Sequence, residues 1–98
     1  MILGNEMNLS EEELIEGLLS IASQHVLRGP GYAQEGVVLR QARNEFGPKT
    51  LAHEQRILEA WQRLFIDGEL SWGYDLDTPS APFFHLAVHN AATPAGAR

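Results

Sequence analysis

Residues 46–51 read Phe46-Gly47-Pro48-Lys49-Thr50-Leu51, and the order of these side chains carries the reading of the fold. Gly47 suits the position that closes a helix in the left-handed region, and Pro48 cannot extend a hydrogen-bonded ladder. Thr50 has a hydroxyl able to satisfy the orphan amides of a new helix. One helix is therefore expected to end at this corner and another to start directly after it. So short a connection obliges the two to cross steeply.

Downstream of the corner, a helix is predicted from residue 51 to about 67, ending at Gly68. At about 100° per residue, Leu51, Ile57, Leu58, Trp61, Leu64 and Phe65 fall within one arc of about 140°. Ala52, Arg56, Glu59 and Arg63 are left on the outer face. Upstream, a shorter helix is predicted over about residues 35–46, with Val38, Leu39, Ala42 and Phe46 on one face and Arg40, Arg43 and Asn44 turned away. The run Gly36-Val37-Val38-Leu39 also reads as a short strand, because β-branched residues favour one, but its helix-like continuation favours the helix.

Further out, Ser10 followed by Glu13 is a capping-box pattern, and the neighbouring acids complement the positive end of a helix. From residue 11 to about 27, Leu14, Ile15, Leu18, Leu19, Ala22 and Val26 recur at spacings of three and four, which makes a single apolar stripe. Arg28-Gly29-Pro30-Gly31 ends it, and a loop through Tyr32 follows. On the C-terminal side, residues 69–75 alternate with period two and place Leu70, Trp72 and Tyr74 on one side of a strand. Residues 77–82 have turn chemistry, and residues 83–89 read as a returning strand with Phe84, Leu86 and Val88 on one face. The expected fold class is α+β, mainly α. Residues 10–89 form the domain, between a flexible segment 1–9 and a flexible tail 90–98.

The composition bounds the function. A chain of 98 residues, 44% of them hydrophobic, supports one modest core without low-complexity segments. The absence of Cys removes disulfides, thiolate nucleophiles and Cys-containing zinc motifs. With no secretory pattern in residues 1–9 and no apolar run long enough to span a bilayer, the cytoplasm is the expected compartment. The net charge of −6 speaks against a strong nonspecific nucleic-acid binder. That average hides an asymmetry, because six of the seven cations (Arg28, Arg40, Arg43, Lys49, Arg56, Arg63) lie in residues 28–63, which alone are net positive.

Helix, helix, tight turn, helix and a Gly-initiated hairpin follow one another in the order of a winged helix-turn-helix domain. The chain resembles that superfamily over about residues 10–89, most closely along Leu64-Phe65-Ile66-Asp67-Gly68-Glu69-Leu70. The resemblance implies a third helix that enters the major groove of DNA and a hairpin, the wing, that touches the backbone or minor groove. By position, the candidate DNA contacts are Arg40, Arg43, Lys49, Thr50, His53, Arg56 and Arg63. It further implies a role in transcriptional control or DNA-linked defence, with homodimerisation to strengthen a weakly cationic binder. The hairpin fits this less well, since Asp75 and Asp77 and no cation lie between Tyr74 and Pro82.

Each candidate has a plainer alternative. Glu59 and Arg63 stand in the favourable i,i+4 orientation of an ordinary surface ion pair. Trp72 and Phe84 are expected to cover the helical core, Trp61 to lie inside it, and Tyr74 and Phe83 to be the exposed pair. Those two aromatics, with the acidic hairpin, are the contact residues of the competing reading, a protein-interaction adaptor or small subunit of a larger complex. His25, near a helix end, is read as favourable to the dipole there. His25, His53, His85 and His89 lack a helical metal-binding spacing, and no nucleophile with a base, carboxylate pair or phosphate loop is visible. No catalytic residue, metal or cofactor is expected.

Overall fold

Ser10 starts the first helix with its side chain as well as its position. In the computed structural model, which describes residues 8–74 and 81–87, its hydroxyl accepts from the amide of Glu13 at 3.1 Å. The Glu13 carboxylate in turn accepts from the Ser10 amide at 2.8 Å. This reciprocal cap starts α1 (Glu11–Arg28), whose buried side is Leu14, Leu18, Ile21, Ala22 and Val26. The chain then forms β1 (Ala33–Gln34) and α2 (Glu35–Phe46), which buries Val38 and Ala42. The helical reading of Val37-Val38-Leu39 holds, because Val38 and Ala42, one turn apart, face α1. β1 was not anticipated in the loop after Tyr32, since two residues carry no periodic signal.

The corner behaves as its residues dictate. Gly47 adopts φ 65° and ψ 51°, a conformation that an L side chain reaches only at a cost, and its amide donates to the Arg43 carbonyl. Thr50 caps α3 (Leu51–Ile66) by accepting from the His53 amide at 3.1 Å. At the far end Gly68, with φ 81°, donates to Phe65, and Glu69 donates to Leu64. That pair of bonds is a Schellman motif, and it turns the chain into β2 (Leu70–Trp72). α2 and α3 each pack on α1 and make little direct contact with one another, so α1 is the shared support of the two helices that flank the corner.

β3 (Phe83–Leu86) returns between the other two strands, giving an antiparallel sheet of order β1-β3-β2. Leu70 faces Leu86 and Trp72 faces Phe84 on one ladder, while Ala33 faces Phe84 on the other. The sheet closes the end of the core. Trp61, Leu64, Leu70 and Phe84 are all 1% exposed or less, and the Trp61 and Phe84 rings meet edge-on at 5.1 Å. Trp72 is half-buried and stacks on Phe65 at 4.0 Å. The architecture among the described residues is therefore α+β and mainly helical, with three helices and one small antiparallel sheet.

Several expectations need correction. The apolar arc predicted for α3 is not covered along its whole width: Ile57, Ala60, Trp61 and Leu64 are buried, but Leu51 is 83% and Leu58 43% exposed. The covered side is centred nearer Ala60, whose small side chain lies against the core. β2 is shorter than predicted, and Gly73 bends the chain so that Tyr74 leaves the side of Leu70 and Trp72. His25 does more than face a dipole: its Nε2 hydrogen-bonds Gln41 Oε1 at 2.7 Å, tying α1 to α2. Leu9, expected in the loose N-terminal segment, packs against the core. Residues 1–7, the acids Asp75 and Asp77, Val88, His89 and the predicted tail lie outside the described residues.

Candidate nucleic-acid interface

Seven residues were candidates for contact with DNA, and local structure already employs several of them. Thr50 and His53 serve the start of α3. The His53 amide donates to Thr50, and the Lys49 amide donates to His53 Nδ1 at 3.0 Å. Nδ1 is therefore unprotonated, and the imidazole closes the first turn. The Thr50 hydroxyl and one edge of the His53 ring are committed to this cap, which leaves the Lys49 side chain, exposed at the corner, as the outward group of the three.

The arginines separate into two sets. Arg43 reaches from α2 across the corner to Glu54 of α3, with Nη2 to Oε1 at 3.1 Å, and both partners are largely solvated. Arg63 pairs with Asp67 at 3.3 Å rather than with Glu59. Exposed pairs of this kind are worth about 0–1 kcal/mol and exchange readily for another anion. Arg56 differs. It is half-buried, donates to the Leu9 carbonyl, and forms a wall of a shallow recess with Glu11, Leu14 and Glu59. Its guanidinium holds the chain entering α1 against α3, which removes it from the outer face where the helical wheel had placed it. Among the described residues, Arg28, Arg40 and Lys49 make no ion pair.

On the outward face of α3, Ala52, Glu59 and Arg63 are exposed as the helical wheel predicts, and the exposed surface extends beyond them. Leu51, Gln55, Leu58 and Gln62, at spacings of four, three and four, are all exposed and form one row along the helix. This row carries no charge. Wheel arithmetic contained the signal, because Leu51 and Leu58 sit at the rim of the apolar arc, farthest from Ala60. Lys49 lies at the corner where the helix starts, Arg43 reaches it from α2 through Glu54, and Arg40 is exposed on α2.

The other predicted surface, Tyr74 with Phe83, gains a third member. Tyr32 meets Tyr74 edge-on at 4.7 Å and Phe83 at 5.9 Å, and Tyr74 lies 4.9 Å from Phe83. Tyr74 is exposed, while Phe83 and Tyr32 are half-buried. The cluster forms because Tyr32 precedes β1, the strand that pairs with β3, and that strand was invisible in the sequence.

His85, on β3, is buried at 7% exposure, and its Nδ1 lies 3.0 Å from the Gly73 carbonyl. A carbonyl only accepts, so Nδ1 carries the proton, and Nε2 has no hydrogen-bond partner among the described residues. Among the described residues no group of three or more His, Asp or Glu side chains is placed to hold a metal ion, and no helix is long and apolar enough to cross a membrane. Comparison with known proteins found no matching family model, no matching curated protein and no matching solved structure.

Proposed function

We propose that the chain is a winged-helix domain that binds double-stranded DNA through α3, in transcriptional control or DNA-linked defence, and that it acts as a homodimer. The observation that carries this reading is the corner. α3 leaves it supported from behind by α1, with its outer row exposed along its length, Lys49 at its start and Arg43 reaching it from α2. An uncharged helix face flanked by cations matches a groove in which base edges lie between two phosphate rows. Three helices followed by the β2–β3 hairpin are the order that the resemblance implies, and this supports the reading. Few cations are available, so affinity from one copy is modest and a second copy adds to it.

The test is titration of labelled duplex DNA at about 50 mM and about 200 mM salt. Binding that weakens with salt is expected, and Arg40→Ala with Lys49→Ala should flatten the logarithmic salt dependence by about two phosphate contacts. Absence of any complex at the lower salt overturns the reading. The cluster of Tyr32, Tyr74 and Phe83 favours a second reading, a protein-interaction adaptor, since aromatic side chains are the commonest anchors of protein interfaces. A partner lost with Tyr74→Ala or Phe83→Ala and indifferent to Lys49→Ala would support it.

A further inference from the structure

We infer that the row Leu51, Gln55, Leu58 and Gln62 reads adenine and thymine edges, so that the preferred target is a short site rich in A·T pairs. This inference rests on the DNA-binding reading and deepens it by naming the class of sequence. Its premise is an uncharged row on the outer face of α3. Arg56 is directed to the Leu9 carbonyl, and Arg63, exposed and paired with Asp67, stands about 110° around the helix from the row. Along the row itself two carboxamides alternate with two leucines, all facing solvent.

The chemistry of each side chain then selects the base. In the major groove adenine presents an acceptor, N7, beside a donor, the N6 amino group, and a glutamine carboxamide offers the complementary donor and acceptor in one plane. Guanine presents two acceptors there, so it can take only the glutamine amino group and offers no donor to the glutamine oxygen. Thymine alone carries a C5 methyl group, and an exposed leucine gains by covering it. Every member of the row thus favours one of the two bases of an A·T pair, and none favours G·C. Glu59, exposed at the border of the row, also lines the recess beside Arg56.

Geometry limits the site. From Leu51 to Gln62 the helix rises about 16 Å, which spans about five base-pair steps. Lys49, exposed at the start of α3, and Arg43, whose solvated pair with Glu54 reaches α3 from α2, are the cations beside the row. They suit the phosphates that border a groove, and the uncharged row suits the base edges between those phosphates.

Selection from a randomised duplex library with the full chain tests the inference. Enrichment of sites with about four to five consecutive A·T pairs is expected. Gln55→Ala should weaken binding to the enriched site about tenfold, and Gln55→Ala with Gln62→Ala should reduce the base preference to the thymine contacts of the two leucines, with weak, salt-dependent binding left. These side chains are exposed, and unchanged helical circular dichroism would verify that the variants fold. Enrichment of G·C sites, or an A·T preference undiminished by the double substitution, overturns the inference and leaves DNA binding intact. If no duplex is retained at about 50 mM salt, DNA binding itself is overturned and the base preference falls with it.

Discussion

Trp61 is a buried indole with one polar atom, and its Nε1 donates to Glu35 Oε2 at 2.8 Å. The partner lies 26 positions away in sequence, at the first residue of α2, whose amide also donates to the Pro82 carbonyl. Glu35 therefore joins α2, α3 and the hairpin, although nothing in the sequence distinguishes it from the other acids. Removing the acceptor leaves an indole N–H unpaired in a low-dielectric interior, at a cost of about 1–3 kcal/mol. Glu35→Ala should lower the free energy of unfolding in urea by that amount, whereas Glu35→Gln retains an oxygen acceptor and most of the stability. Equal losses in the two variants would place the contribution of Glu35 elsewhere. Arg56 teaches the same lesson at the surface, since a carbonyl 47 positions away directs a side chain that the helical wheel had assigned to solvent.

At the scale of the element, α3 is one helix with two apolar rows. The inner row, with Ile57, Trp61 and Leu64, carries the core; the outer row, with Leu51 and Leu58, is exposed. Both rows read alike in sequence because a helical wheel records which residues share a side and not how wide a neighbour covers it. Ala60 marks the covered centre, since a small side chain permits close approach to α1. Leu64→Ala should cost about 2–5 kcal/mol through lost burial and the cavity left behind, while Leu58→Ala should stay within about 0.5 kcal/mol. Thermal unfolding of both variants measures the contrast. A large loss at Leu58 would mean that the outer row carries stability rather than contact. The ends of the same helix were legible, because Thr50, Gly47 and Gly68 act on backbone groups within a few residues of themselves.

For the whole molecule, one cluster of buried side chains takes members from all three helices and from β2 and β3. No second core exists among the described residues. Unfolding is then expected as one cooperative transition. Trp61 reports on the core of α3, Trp72 on the sheet, and far-ultraviolet circular dichroism on the helices, so fluorescence and dichroism should give the same midpoint in urea. Separate midpoints would show the sheet parting from the helices before they melt. The sheet itself was half legible: the β2 and β3 hairpin follows from period-two alternation, whereas β1 exists only because β3 offers it a free edge.

Helix identity, the capped starts, the glycine-closed ends and the corner at residues 47–50 follow from interactions that span a few positions, and the chain declares them residue by residue. Which side of α3 is covered, where Arg56 and Arg63 point, how Tyr32 joins Tyr74 and Phe83, and why His85 is buried depend on groups brought together from distant positions. Those outcomes come from packing, because the partner of a side chain and the width of a buried face are properties of the neighbouring element rather than of the residue.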